Sequence, residues 1–191
     1  MKPPRIPPMV TDIIQTALAS LDGMEFIEIN SCPLCGGTLQ GHDSKKKKVV
    51  VLREQVGERA ITVRVKRFYC RKCGNFCYAD EPFYPNTRIG SPVIDIFHSL
   101  SATMSPSRAA RVIDAMGIVV NRTTWRNYTV RSFGNIPVVD VFSLSVPLCI
   151  VQLSDIAVKS DNPDPVEVIA ACGYPSRNRA LTGTSRENIE E

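Results

Sequence analysis

The sequence predicts an α+β fold, and three observations carry that expectation. Two Cys-x-x-Cys pairs, "CPLCGG" at 32–37 and "CRKCGN" at 70–75, bracket a stretch holding two β-branched runs. Three consecutive segments after residue 90 place apolar residues at helical spacing. Beyond Phe133 short apolar runs return, with one further helical pattern among them. The expected organisation is an N-terminal arm and helix over 1–30 and a cysteine-bearing hairpin section over 31–80. A three-helix section follows over 90–133, and a small C-terminal α/β segment over 134–191.

The elements read as follows. Residues Pro3–Pro8 form a proline-rich, extended arm. In "TDIIQTALASLDG" the residues Ile13, Ile14, Ala17, Leu18 and Leu21 mark a helix, with Thr11 as its N-cap and Gly23 as its stop. Val49–Leu52 and Ile61–Val65 are two strands of a hairpin turning near Gly57–Glu58. Side chains alternate along a strand, so Ile61, Val63 and Val65 face one way and Arg64 and Lys66 the other. "SPVIDIFHSLSATM" predicts a helix capped by Ser91 and started by Pro92. "SPSRAARVIDAMG" predicts a second, capped by Ser105, started by Pro106 and ended by Gly117. "NRTTWRNYTVRSF" predicts a third, capped by Asn121. "IPVVDVF" and "VPLCIVQLSDIAV" read as buried strands. "DPVEVIAACG" reads as a short helix capped by Asp164, started by Pro165 and stopped by Gly173, and the polar end "GTSRENIEE" as a frayed tail.

The chain has 191 residues, of which 43% are hydrophobic and 22% charged, a composition that suits one sizeable domain or two small ones. No apolar run reaches the roughly 18 residues that cross a bilayer. "MKPPRIPPMV" has no apolar signal core, so the expected location is the cytoplasm, with reduced cysteines and no membrane partner.

In that setting, paired CxxC motifs point to a metal or to redox chemistry. Tetrahedral Zn²⁺ takes four thiolates at about 2.3 Å, and two knuckles supply them. Gly36 and Gly74 follow the second cysteine of each pair, where the backbone needs positive φ. The 34 residues between the pairs suit a hairpin that leaves one knuckle and returns to the other. This is a zinc-ribbon arrangement with ligands Cys32, Cys35, Cys70 and Cys73. A thioredoxin-like pair would need a βαβ surround, and disulfides conflict with a reducing compartment. Cys77 and His42 are weaker alternative ligands, and Cys149 and Cys172 read as small core residues. Four thiolates close the coordination sphere, so the expected Zn²⁺ is structural and no catalytic residue is identified.

The formal charge of +4 is unevenly spread. Ser44–Lys72 holds eleven Lys or Arg against two Glu, so +9 here and −5 elsewhere. Such asymmetry predicts a polyanion partner. In the third helix Trp125 and Tyr128 face the core, leaving Arg122, Thr123, Arg126 and Asn127 outward, the residue types that meet phosphates and base edges. Arg108, Arg111 and Arg131 add charge nearby. The predicted contacts to double-stranded DNA are Lys45, Lys46, Lys47, Lys48, Arg64, Lys66, Arg67, Arg122, Thr123, Arg126, Asn127 and Arg131. From Gly134 onward four basic residues stand against eight acidic ones, so that segment is not expected to touch DNA.

"CPLCGG", then "VRVKRFYCRKCG", then "SPSRAARVIDAMGIVVNRTTWRNY" resembles the N-terminal half of bacterial and archaeal insertion-sequence transposases, a zinc ribbon followed by a helix-turn-helix domain. The resemblance covers roughly 31–133 and implies recognition of transposon-end DNA, alone, as a homo-oligomer or beside a transposase subunit. In that family a ribonuclease-H-type nuclease follows. Here Asp155, in "CIVQLSDIAV", would stand at its first acidic position, as the start of a truncated nuclease domain. No second and third carboxylate can be placed, Glu187, Glu190 and Glu191 lying in the tail, so the chain is expected to bind without catalysing. The alternative function is a zinc-ribbon interaction module of a transcription or translation assembly.

Overall fold

A computed structural model of the chain describes residues 6–173. The first elements are a helix, α1 (Pro8–Ala19), and a two-residue strand, β1 (Glu25–Phe26). The hairpin follows as β2 (Leu39–Glu54) and β3 (Gly57–Cys70), then a short strand β4 (Phe76–Tyr78). Helices α2 (Ser91–Thr103) and α3 (Pro106–Ala115), strand β5 (Ile118–Val119) and helix α4 (Arg122–Thr129) come next. A small hairpin, β6 (Val138–Val141) and β7 (Leu144–Pro147), leads into α5 (Leu148–Lys159) and α6 (Pro165–Ala171).

Strands β2 and β3 organise the fold, pairing from Leu39–Cys70 at the cysteine end to Glu54–Gly57 at the tip. Both are far longer than the β-branched runs suggest. The turn falls at Gln55–Val56, just before the expected place, and Gly57 pairs with Glu54 at φ +138°. Register shifts at 41–44 and 48–50 mark bulges in β2. The second turns both Val49 and Val50 inward. The alternation expected of β3 holds, with Ile61, Val63 and Val65 buried. β1 adds in parallel and β4 antiparallel to β3, and β5 pairs Val51 and Leu52 of β2.

One apolar core joins the hairpin to the helices. Val10, Ile14, Ala17 and Leu18 of α1 are buried and pack towards α5, through which Cys149, Ile150 and Leu153 close the same cluster. Trp125 of α4 stacks on Phe97 of α2 at 4.4 Å between centroids. The link between α3 and α4 contains β5, so these helices are tied to the sheet through backbone hydrogen bonds. Gly117 opens that link at φ +80°, where a Cβ would meet Gln15 Nε2 at 2.6 Å.

Several boundary expectations are corrected. α1 begins at Pro8 with Pro7 as N-cap, not at Thr11, because proline at the first helical position lacks only an N–H that has no helical partner. Pro8 therefore belongs to the helix, while the arm before Ile6 lies outside the described residues. α2 is capped by Gly90 rather than Ser91, since Gly90 is extended and its carbonyl accepts the first helical bonds, from Val93 N and Ile94 N at 3.2 and 3.3 Å. Ser105, Asn121 and Asp164 are N-caps as expected, the last two accepting from Thr123 N and Val166 N at 2.9 Å each. The second expected C-terminal strand breaks at Pro147, and the rest is helix α5. Cys149, Ile150 and Leu153 are its buried face, a helical spacing hidden inside a continuous apolar run. Asp155 accordingly stands on an exposed helical face, paired with Lys159 at 2.6 Å, and not at a strand end. The tail "GTSRENIEE" lies outside the described residues. Among the described residues no helix is long and apolar enough to cross a membrane.

Candidate metal centre and nucleic-acid interface

The two knuckles are built alike. Gly36 N donates to Cys32 O at 2.8 Å and Gly74 N to Cys70 O at 2.9 Å. Cys32 N donates to Gly37 O and Cys70 N to Asn75 O, at 3.1 and 2.9 Å. Gly36 and Gly74 take φ of +66° and +72°, the left-handed turn that glycine adopts without a Cβ penalty. The hairpin then brings the knuckles together. The four sulfurs of Cys32, Cys35, Cys70 and Cys73 lie within 4.8 Å of one another. Cys32–Cys73 is 3.7 Å and Cys35–Cys70 3.5 Å. A tetrahedron with metal–sulfur bonds of about 2.3 Å has edges of about 3.8 Å, so the four thiols fit a tetrahedral ion.

The backbone prepares two of these sulfurs, those of Cys70 and Cys73, for charge. The Asn75 amide draws the Cys73 thiol down to about 6, and the Cys73 amide lowers Cys70. The Gly37 amide also draws on Cys35, but desolvation and the thiols of Cys70, Cys73 and Cys32 push it up to about 12. Crowding four anions together is what a cation would relieve. Gly37, which sequence reading passed over, closes the site. A Cβ there would stand 2.7 Å from Lys72 Cβ, 3.1 Å from Cys70 Sγ and 3.2 Å from Cys35 Sγ. The doubled glycine of "CPLCGG" was its only signal. Cys77 is buried beside the cluster, and burial together with the neighbouring sulfurs pushes its thiol up to about 11. His42 is outside the cluster, 3.2 Å from Asp43 and edge-on to Phe76.

The basic residues divide into two classes. Lys47 is half-buried, 2.6 Å from Glu81 and 3.8 Å above the Tyr78 ring. Burial pushes the Glu81 carboxyl up although Lys47 pulls it down. Arg67 grips both oxygens of Asp43 at 2.7 and 2.8 Å and holds that carboxyl down to about 2. Arg53 meets Asp114, Arg59 meets Asp22 and Glu54, and Arg64 meets Glu25. Glu81 and Asp43 are partners that no spacing in the sequence announces.

Lys45, Lys46, Lys48, Lys66, Arg71 and Lys72 have no carboxylate within 4 Å among the described residues. Register places Lys46 directly opposite Arg64, with Ser44–Lys66 and Lys48–Thr62 on either side. Directly opposed residues share a face, so Lys46, Lys48, Arg64 and Lys66 occupy the hairpin face turned away from Val63 and Val65.

On α4 Arg122, Thr123, Arg126 and Asn127 are exposed, and Trp125 and Tyr128 are buried, as expected. Arg108 and Arg111 of α3 are exposed as well. Arg131 is turned inward instead, donating to the carbonyls of Pro85 and Asn86 at 2.9 and 3.2 Å. No family model, no curated protein and no solved structure matches the chain.

Proposed function

We propose that this protein binds double-stranded DNA through a zinc ribbon and a helix-turn-helix unit, with no chemistry of its own. In this reading Cys32, Cys35, Cys70 and Cys73 hold Zn²⁺, which lends folding free energy to the end of the hairpin farthest from the helical core. The ion is structural, since four thiolates leave no position for water or substrate. The relation to insertion-sequence transposases belongs to the same proposal and rests on the order of the motifs.

One observation carries the reading: the direct opposition of Lys46 and Arg64 on an exposed face, flanked by Lys48 and Lys66. Like charges directly opposite on a sheet are destabilising. A polyanion is the partner that turns that repulsion into attraction. The second contact would be α4, whose Arg122 and Arg126 lie four residues apart on its exposed side.

A duplex titration against salt tests the function. Affinity should fall steeply and linearly in log–log form as counterions are released. Arg126→Ala should keep the fold and its metal while weakening binding. Salt-insensitive binding, or none, refutes the function. Undiminished affinity of Arg126→Ala refutes the part given to α4.

A further inference from the structure

The metal end of the hairpin carries a feature that duplex binding does not use. Tyr69 of β3 pairs with Phe76 of β4, and both rings face solvent, 37% and 49% exposed. Their centroids are 5.4 Å apart, and His42 continues the row 4.9 Å beyond Phe76. Three contiguous exposed rings are costly to leave in water, and nothing in the core requires them. Their rim is cationic. Arg67 lies 4.7 Å from the Phe76 centroid, and Gln40 holds Arg71 beside Tyr69 through bonds of 3.1 and 3.2 Å. The carboxylate in this rim, Asp43, is held by the bidentate Arg67 pair.

Position in the sheet separates this patch from the proposed duplex face. Alternation along β3 puts Arg64 and Lys66 on one side and Val63, Val65, Arg67 and Tyr69 on the other. Tyr69 thus continues the core-facing side of the hairpin past the point where helices cover it. A duplex hides its bases within the stack and would offer these rings only phosphates. Unpaired bases present flat π faces, and a basic groove lined with aromatic rings is how single strands are held without sequence preference.

Resting on the nucleic-acid reading above, we propose that Tyr69 and Phe76 form a stacking platform for the unpaired bases of single-stranded nucleic acid, with Arg71 along its backbone path and Arg67 bracing the Phe76 ring. The protein would then hold a duplex on one face of the hairpin and a frayed or displaced strand on the other.

The test uses full-length, zinc-loaded protein with two fluorescent probes, a short oligothymidine and a mixed-sequence duplex. Tyr69→Ala and Phe76→Ala should each lower oligothymidine affinity by roughly 5- to 150-fold, the worth of one stacked base. Duplex affinity should change by less than about twofold, and the salt slope for oligothymidine should not move, because no phosphate contact is lost. Phe76→Leu keeps apolar bulk without a π face and should show the same loss, and its zinc content reports that the knuckles are intact.

Wild-type protein that ignores oligothymidine overturns the platform, as do zinc-loaded variants that bind it unchanged. Variants that instead lose self-association mark the rings as a protein contact and overturn it too. Wild-type protein that binds the duplex but not oligothymidine leaves the proposed function standing and removes this inference. Binding of oligothymidine alone does the reverse.

Discussion

Lys46→Gln is expected to make the protein more stable and a poorer DNA binder at once. Lys46 faces Arg64 across the sheet, both exposed. Such an opposition costs about 0.2–1 kcal/mol, and Glu25, 3.0 Å from Arg64, relieves part of it. The gain on removing Lys46 should therefore lie near the low end, about 0.3 kcal/mol. The affinity change is larger and opposite. One phosphate contact contributes about 0.9 to the log–log salt slope, which between 1 M and 0.15 M salt amounts to about 0.7 decade, or roughly fivefold. Urea unfolding of the zinc-loaded protein gives the first quantity. Duplex anisotropy over a range of salt gives the second, with the slope reduced by about one. A variant that binds as tightly as wild type, with an unchanged slope, refutes the assignment of this face to phosphate. A variant less stable than wild type refutes the like-charge argument itself.

Cys35→Ser should lose the metal and lower the melting temperature, read by zinc released to a chromophoric chelator and by circular dichroism. Gly37→Ala should keep all four ligands yet bind zinc more weakly in a chelator competition, because its Cβ would crowd Cys70 and Cys35. Asp95 is buried, accepts from Tyr84 Oη at 2.6 Å, and burial raises its carboxyl to about 8. A folded pKa raised above the unfolded one contributes stability that is complete below about pH 4 and is lost as pH climbs to about 8. Melting temperature against pH should show that decline in wild type, and Asp95→Asn should flatten it. Phe142 and Ser143 form the turn between β6 and β7 with φ of +49° and +64°, a conformation suited to Asn-Gly. The double change Phe142→Asn, Ser143→Gly should raise stability by about 1 kcal/mol in urea unfolding.

Local signals carried far into this fold. The knuckles were readable because each needs only a short span: two cysteines, a turn and a glycine at positive φ. The inward set Ile61, Val63 and Val65 was readable because alternation is a property of one strand. The caps Ser105, Asn121 and Asp164 were readable for the same reason, since a cap is settled within a few residues. What escaped depends on partners distant in sequence. Lys45–Lys48 does not look like strand, yet it is held as one by β3, with Glu81 neutralising Lys47 from 34 residues away. Helix α5 was hidden by a continuous apolar run, which fits a buried strand or a buried helix until its neighbours are known. The Asp155 assignment failed with it, because it required a strand.

The basic run shows why composition points to a site without locating it. Of the eleven basic residues over 44–72, Lys47, Arg53, Arg59, Arg64 and Arg67 each have a carboxylate partner within 4 Å. A charge already satisfied inside the protein gains less from an external phosphate, since the internal pair must loosen first. Lys47 and Arg67 are the clearest cases, being the least exposed of the five at 26% and 22% of the side chain. Their removal should cost stability more than affinity. Lys46, Lys48 and Lys66 have no such partner among the described residues, so their field is available to a ligand. The register of two strands, not the count of lysines, decides which cations remain to bind.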